Sequence, residues 1–594
     1  MAAHFAYLKA QDVNPSALPA YAPTWNSATM VASPDHPPLV GDFDVEVCVV
    51  GAGLAGLTTA RELARRGWSV AVLEAQRIAW NASGRNTGFV LPGFAQDMNV
   101  VARRVGLEQT KKLWALSEAG LEYVRNAINE TDLPGVEPVE YGWLKVSKFD
   151  NPDEDTALVR LLTEEFGAEV EIWPVDRVRS QLMSEHYFQA VYYPTAFHIN
   201  PLNYALGLAA AAEAAGVRIF EGTPVLALDA DGVRKRITTP SARLRASHVV
   251  LAGNVHLGQV MPRLSGTLLP VWTYVATTAP LGRRLEDAIR FAGTVSDTDV
   301  ADNHYKIVGG DRLMWSGGMT TAERNPRRFA AQLAADLKAT YPQLGAVEFE
   351  HIWTGVLGNT LHRMPQIGEL SPRVWVASGF GGHGLNTTAM AGDLVARAIA
   401  DGDDTWRLFL PFDLVWAGGS IGRAVAQVNY WWYRKRELYK ARQSREREKE
   451  RRRVAVDAAR RAWEDEPQLA HAILPPTPVA EDAPSDANPE DAAAEQAATQ
   501  SERPVSPMAI DARAEELAPD MISDARQPQA HADLEPDAAG TADMDAEPYP
   551  QPGALPAVEP DAYAGAEAEV HPQADVQENA DMVPHVSHRR AGRA

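Results

Sequence analysis

The sequence predicts an α/β fold built on a parallel sheet, followed by one long helix and an acidic tail that does not fold. Three observations carry this. Strand, glycine-rich turn, helix and second strand follow one another between Val45 and Glu74. A second strand, glycine loop and helix occupy Val374–Ala400, far downstream. From Glu464 to Ala594 there are 28 Asp and Glu against 6 Arg and no Lys.

The first unit reads VEVCVVGAGLAGLTTARELARRGWSVAVLE. Val45, Val47, Val49 and Val50 form an apolar, β-branched run suited to a buried strand. Gly51, Gly53 and Gly56 follow as G-x-G-x-x-G, with Ala52, Leu54 and Ala55 between them. Gly51 allows the tight turn, Gly53 lets a pyrophosphate reach the backbone, and Gly56 lets the helix pack closely on the sheet. The helix is expected over Leu57–Arg66, with Gly67 ending it. Its N-terminus offers N–H groups and partial positive charge to phosphate. Ser69–Leu73 is a second strand, ending in Glu74, at the position where an acid accepts bonds from ribose hydroxyls. A carboxylate there repels a 2′-phosphate, so FAD or NAD is favoured over NADP. This is a Rossmann-type dinucleotide site.

Composition narrows the classes. The 594 residues suffice for several domains. The single cysteine, Cys48, lies in the first strand, so an internal disulfide and a thiolate metal cluster are excluded, and no metal is expected. The net charge of −22 belongs to the tail, because residues 1–463 hold 50 acids and 50 bases. The N-terminus shows no apolar signal region, and no uncharged apolar run reaches a membrane-spanning length. The expected location is cytoplasmic. Residues 1–41 form an irregular, Pro-rich N-terminal arm, with Tyr21 and Trp25 as anchors.

After Glu74 and Ala75 comes a small, polar loop with one cation, Arg85. No strand or helix pattern fits Ala82–Gly88. The SGRNTG loop, Ser83–Gly88, placed after GAGLAG, resembles the D-amino-acid-oxidase-type FAD-dependent oxidoreductases, and within them the gamma-glutamylputrescine oxidase branch. That resemblance spans about residues 42–405 and implies a Rossmann-type FAD-binding domain with an α+β substrate domain. The FAD-binding parts would be about 42–100, 195–260 and 350–405; the substrate parts would be 101–194 and 261–349. It implies that Ser83, Arg85, Asn86, Thr87 and Gly88 lie against the flavin.

The middle segment reads as helix over 100–130, strand over Tyr141–Ser147, and helices over Asp153–Phe166 and Asp176–Leu182. Pro201 opens an Ala-rich helix that ends at Gly216, and Val217–Phe220 is a strand. By resemblance, Val225 meets the adenine, and Ala252 and Gly253, after the strand of HVVLAG, lie by the cofactor. Pro270–Ala279 is a strand, and Asn303–Ile307 with Arg312–Ser316 is a hairpin. Relatives carry aromatic and basic residues on this hairpin facing the flavin; here they are His304, Tyr305 and Lys306. Alternation puts His304 and Lys306 on one face and Tyr305 on the other. Which face meets the flavin stays open.

Trp353 and Gly355 match the family's Trp-x-Gly strand, while His362 stands where relatives often have Asp. In Val374–Ala400, Gly379, Gly381, Gly382 and Gly384 form a loop before a helix expected from Thr387. The resemblance puts that helix N-terminus at the flavin's pyrimidine edge, where partial positive charge stabilises the reduced anion. His383, inside GGHG, becomes a flavin or substrate neighbour. A nicotinamide-binding domain needs only the first glycine motif, so the pair favours FAD.

Residues 406–463 are aromatic, then basic: Tyr430–Tyr433 precede a stretch, Arg434–Arg453, with eleven cations against four acids. Ile421–Arg460 reads as one helix. It is expected as a solvated face, with peripheral membrane contact or subunit docking through 406–460 as sharper readings. Nucleic acid is disfavoured, since no recognised module accompanies the charge. Residues 464–594 are expected to be disordered.

The functional expectation is FAD-dependent oxidation of a primary or secondary amine or amino acid, by hydride transfer, to an imine that water hydrolyses. Candidate catalytic residues are His304, Tyr305, Trp353 and His383. Oxygen is the expected acceptor, and the FAD is expected to be non-covalent. Some relatives use a Lys near the flavin to activate oxygen; Met314 or Trp315 stands on the comparable strand, so that role is unassigned. Two alternatives remain: a membrane-associated dehydrogenase passing electrons to a quinone or carrier, and a non-catalytic flavoprotein with an assembly role.

Overall fold

The computed structural model describes residues 18–473 except 132, 259 and 298–302, with side chains to residue 462. The expected tail beyond 473 and the arm before 18 lie outside the described residues.

The first sheet runs in the order Gln366–Ser371, Val374–Ser378, Ala242–Leu251, Gly41–Val50, Val70–Leu73, Arg218–Phe220. All neighbours are parallel except the first pair. Val47, Cys48 and Val49 are fully buried because both faces are covered, which is why the strand reads as a continuous apolar run. Val47, Val49, Val70 and Val72 pack under the helices Leu54–Arg65, Pro201–Ala214 and Gly384–Asp401. Cys48, Val50 and Val249 pack on the other side with Leu257 and Leu264. The helices Leu54–Arg65 and Gly384–Asp401 cross so closely that a Cβ on Gly392 would stand 2.6 Å from that of Thr58.

The second sheet is mostly antiparallel: Phe349–Asn359, Leu269–Thr278, Arg312–Thr320, His304–Val308, Thr294–Asp297, Trp143–Val146, Ala190–Tyr193, Glu171–Trp173. Alternation sorts its residues. Leu144, Tyr274, Tyr305, Leu313 and Trp315 point to a core closed by Leu333, Leu337 and Tyr341. Val275, Met314 and Trp353 point the other way, as does Trp143.

Several boundaries move. Gly53, extended at φ −79 and ψ 177, starts the first helix at Leu54, three residues before Leu57. Likewise the helix after GGHG begins at Gly384 rather than Thr387. Ala82–Arg85, expected as loop, closes one helical turn. In the N-terminal arm Thr24 and Ser27 form a capping box around the turn Trp25–Ala28.

The last helix spans Gly419–Ile473, ten residues into the expected tail. It lies along the second sheet's side of the molecule. The Tyr430 hydroxyl accepts from Met319 N (3.1 Å), Arg434 pairs with Asp336 (2.9 Å), Arg179 donates to Glu448 (2.5 Å), and Arg451 pairs with Asp150. Residues three or four apart share a helix face, so these contacts form one stripe. Among the described residues no helix is long and apolar enough to cross a membrane.

Candidate active site

Both glycine turns emerge at the carboxyl ends of parallel strands, Gly41–Val50 and Val374–Ser378, which flank Ala242–Leu251 in the first sheet; open α/β sheets place ligands at this edge. Gly51 takes φ +109, and a Cβ there would meet the Ala252 carbonyl at 3.0 Å. A Cβ on Gly56 would stand 2.1 Å from the Gly51 oxygen. The Ala52 N–H donates to Glu74 Oε2 (2.8 Å) and the Gln76 N–H to Oε1 (2.9 Å), so Glu74 ties the two strand ends together. Burial pushes its carboxyl up, and the backbone donors oppose that. Ala75 is exposed beside it, Val225 is half-buried across the sheet edge, and Gly253 follows Ala252.

The Ser83 hydroxyl accepts from Leu54 N (3.1 Å), joining the SGRNTG loop to the first helix. Within the loop, Asn86 is structural: Nδ2 donates to the Ala82 and Ser83 carbonyls, and Oδ1 accepts from Gly88 N (2.7 Å). Arg85 turns to the Trp80 carbonyl (2.9 Å) and sits over the Trp80 ring. Thr87 is half-buried. Gly88 has φ +79, and a Cβ there would be 2.0 Å from the Ile199 oxygen. The Trp353 indole donates to the Arg85 carbonyl (2.9 Å), bringing the second sheet to the loop.

The second glycine loop folds back similarly. Gly379 N donates to Asn254 Oδ1 (3.2 Å) and Gly381 N to the Gly358 carbonyl (3.1 Å). Gly382 takes φ +96, and a Cβ on it would touch that of Ala95 at 3.0 Å, whereas one on Gly384 would enter open space. His383 caps the helix without a side-chain bond, and its ring lies 6.2 Å from that of Trp143. His362, where relatives often carry Asp, instead bonds the Asp413 carbonyl and Met364 N (both 3.1 Å).

Between the loops stands an aromatic chamber. Trp143 stacks on Tyr193 (4.5 Å, 23°) and donates to Ser296 Oγ (2.9 Å). Ser296 Oγ also bonds His304 Nδ1 (2.8 Å), whose ring meets Phe89 edge to face at 6.0 Å. His304 and Lys306 therefore face the SGRNTG loop. Lys306 is buried; its Nζ donates to the Ile199 carbonyl (3.0 Å) and approaches Gly88. Burial holds Lys306 down to about 7 and His383 to about 3, and lowers His304. Cationic neighbours, Lys145 first, add to the effect on His383.

One expected catalytic residue is corrected. Tyr305 stacks flat on Trp315 (4.5 Å, 8°) and shares a hydrogen bond with Tyr341 (2.7 Å), inside the core on the sheet's far side. It sits between two residues that reach the chamber and, by strand alternation, points away.

The sequence reading missed Trp143, Tyr193, Ser296 and the buried Asn26. Asn26 Nδ2 donates to the carbonyls of Gly84 (3.1 Å) and Asn86 (3.0 Å), so the N-terminal arm pins the loop. Lys306 is the lysine that reaches the loop, rather than a residue at Met314 or Trp315. A buried aromatic at the start of a strand, as in YGWLKVS, was the available signal for Trp143.

The residues present fit FAD. The first helix starts with no cap side chain of its own, over a turn kept bare by glycine, with Glu74 at the next strand end. The helix after GGHG starts uncapped with open space above Gly384, which suits the electron-accepting ring edge. Cys48 is fully buried in its strand, and burial pushes its thiol up.

Comparison with known proteins agrees. A family described as FAD dependent oxidoreductase, DAO, matches residues 46–398. A gamma-glutamylputrescine oxidoreductase of Escherichia coli is 31% identical over 359 residues, covering 60% of this chain and 83% of the relative. A probable oxidoreductase, OrdL, of Haemophilus influenzae is 28% identical over 68% of this chain and 94% of its own length. The glycine oxidase structure from Geobacillus kaustophilus superposes with a TM-score of 0.52 at 21% identity, over 63% of this chain and 99% of its own. With both glycine turns, the SGRNTG loop and this match in hand, the chain belongs to the DAO family of FAD-dependent oxidoreductases, and is an FAD enzyme.

Proposed function

We propose that this enzyme oxidises a primary or secondary amine or an amino acid at the carbon bearing nitrogen, with oxygen as the acceptor and hydrogen peroxide as product. The observation that carries this reading is the aromatic chamber of Phe89, Trp143 and Tyr193, beside two imidazoles kept neutral by burial. Aromatic faces hold an aminomethylene group by packing and by their negative quadrupole. The name of the Escherichia coli relative, a gamma-glutamylputrescine oxidoreductase, supports an amine.

In this reading the first sheet and its two turns form the FAD-binding part, and the second sheet forms the substrate part. Gly51–Gly56 receive the pyrophosphate, Glu74 and Ala75 the ribose, Val225, Ala252 and Gly253 the adenosine side, and Ser83–Gly88 with Gly379–Gly384 the ring system. Bound FAD supplies the two-electron acceptor for a hydride. The protein orients and desolvates the substrate. Ser296 fixes the His304 ring, and the Trp353–Arg85 bond fixes the loop against the sheet. The substrate leaves as an imine, and water converts it to a carbonyl and ammonia, or an amine where the substrate is secondary.

Anaerobic mixing of the flavin-loaded protein with a panel of amines and amino acids tests this. Loss of the oxidised-flavin absorbance with one class, and peroxide on admitting air, are expected. Flavin that no amine or amino acid bleaches would sink the proposal; bleaching without peroxide would move the acceptor to a quinone or carrier.

The outer face of the long helix supports a second reading, peripheral attachment of this enzyme to a membrane. Ile421, Val425, Val428, Trp432 and Tyr439 are exposed there, opposite the docked stripe. Lipid-dependent co-sedimentation that disappears on deleting 421–460 is the expected result, and sedimentation without lipid dependence would refute it.

A further inference from the structure

A recess of about 480 Å3 opens between the long helix and the second sheet. It lies on the side to which Tyr274 points, so the sheet separates it from the chamber. Its floor is Phe329, stacked on Tyr274 at 3.5 Å and 11°. Tyr430 and Trp431, on the helix, form one wall, and Trp431 stays 57% exposed.

Three guanidiniums line the recess: Arg324, Arg328 and Arg434. Arg434 is committed to both Asp336 oxygens (3.0 and 2.9 Å) and to the Tyr430 hydroxyl (3.3 Å). Arg324 and Arg328 are exposed, and among the described residues no carboxylate lies within 4.0 Å of either guanidinium. Between them and the floor, Gln332 Nε2 is buried and has no acceptor. Gly318 leaves room for that amide, since a Cβ there would stand 3.0 Å from Nε2. The Thr320 hydroxyl is already bonded to Tyr274 and to the Ala322 carbonyl.

Donors without acceptors, and cations without anions, surround an aromatic slot. A buried donor left unpaired is costly, and guanidinium forks match planar oxyanions. A cationic ligand is repelled, and a neutral apolar one leaves Gln332 unsatisfied. We propose that this recess is a binding site for a small anion carrying a planar ring, an aryl carboxylate or aryl phosphate. Its oxyanion sits on Arg324, Arg328 and Gln332 Nε2, and its ring lies between Phe329 and Trp431. The ligand touches both the helix and the sheet, so it clamps the helix in place.

The test is calorimetric titration of the flavin-loaded full chain with phenyl phosphate, inorganic phosphate and benzyl alcohol. Phenyl phosphate is expected to bind once per chain, at least tenfold tighter than phosphate, and to raise the melting temperature; benzyl alcohol is expected not to bind. The double variant Arg324→Gln/Arg328→Gln should lose about tenfold or more in affinity. Trp431→Ala should weaken phenyl phosphate but not phosphate. Both arginines are exposed, so their variants should melt as the parent does without ligand; if the double variant fails to fold, the single variants carry the test, each losing roughly three-fold or more. Equal affinity in parent and arginine variants, no binding of phenyl phosphate, or binding abolished by His383→Phe instead would overturn the proposal.

Discussion

Lys306 is the most informative single position. The residue is 4% exposed and its Nζ has a carbonyl, Ile199 O, as hydrogen-bond partner at 3.0 Å. Desolvation brings it from 10.5 to about 7 in the folded protein. Between those values the unfolded chain holds the proton and the folded chain does not. Unfolding then takes up a proton, so Lys306 lowers stability as pH falls through this window. Below about 7 both states are protonated and the penalty is full; above 10.5 both are neutral and it vanishes. At about 1.4 kcal/mol per pH unit, the ceiling is roughly 5 kcal/mol. Lys306→Met removes the charge and keeps the bulk, at a pH-independent cost of about 1 kcal/mol for the lost hydrogen bond. The variant should therefore be about 1 kcal/mol less stable than the parent near pH 10.5, and more stable by up to roughly 4 kcal/mol at pH 6. Urea unfolding of both proteins at intervals from pH 6 to 10.5 measures this difference. A difference that does not change with pH would show that Lys306 ionises as an ordinary lysine, and the argument from burial would fail.

Three other outcomes are expected. Gly88→Ala puts a Cβ 2.0 Å from the Ile199 oxygen at φ +79, so the loop must shift; flavin affinity should fall by about tenfold or more, read from the flavin-to-protein absorbance after dialysis. Asn26→Ala strands the Gly84 and Asn86 carbonyls, at about 1–3 kcal/mol each; a lower melting temperature with faster flavin loss is expected, and an unchanged one would deny the arm its role. His383, held near 3, is neutral across the working range; His383→Phe should change rates but leave every limb of the kcat/KM profile between pH 5 and 8 in place, and disappearance of a limb would reassign that ionisation to His383.

Much of the framework was legible because it rests on local rules. Val45–Val50 reads as a buried strand, and it is one, covered on both faces from Val47 to Val50. The two glycine turns were readable because each glycine answers a steric demand, as at Gly51 and Gly56. Alternation correctly separated His304 and Lys306 from Tyr305. It could not say which face met the SGRNTG loop, because that depends on Phe89 arriving from a loop far earlier in the chain. Helix starts shifted by three residues because extended Gly53 and His383 take the cap positions, and composition does not mark where the first helical dihedral falls.

The chamber was not legible for a related reason. Trp143 and Ser296 are 153 residues apart, and their bond exists only because Trp143–Val146 pairs in parallel with Thr294–Asp297 inside a largely antiparallel sheet. Nothing local in either segment announces that pairing. The cofactor half, by contrast, repeats one device twice, and its two helices pack directly on each other where Gly392 meets Thr58. In the proposed reading, cofactor binding depends on backbone shape, which glycine spacing reveals, and substrate choice depends on side chains from separate strands, Trp143, Tyr193 and His304. Substitutions at these three should redirect which amine is oxidised while leaving flavin affinity unchanged, whereas Gly88 and Asn26 should do the reverse. A single set of purified variants, scored for both flavin retention and amine preference, separates the two halves of the site.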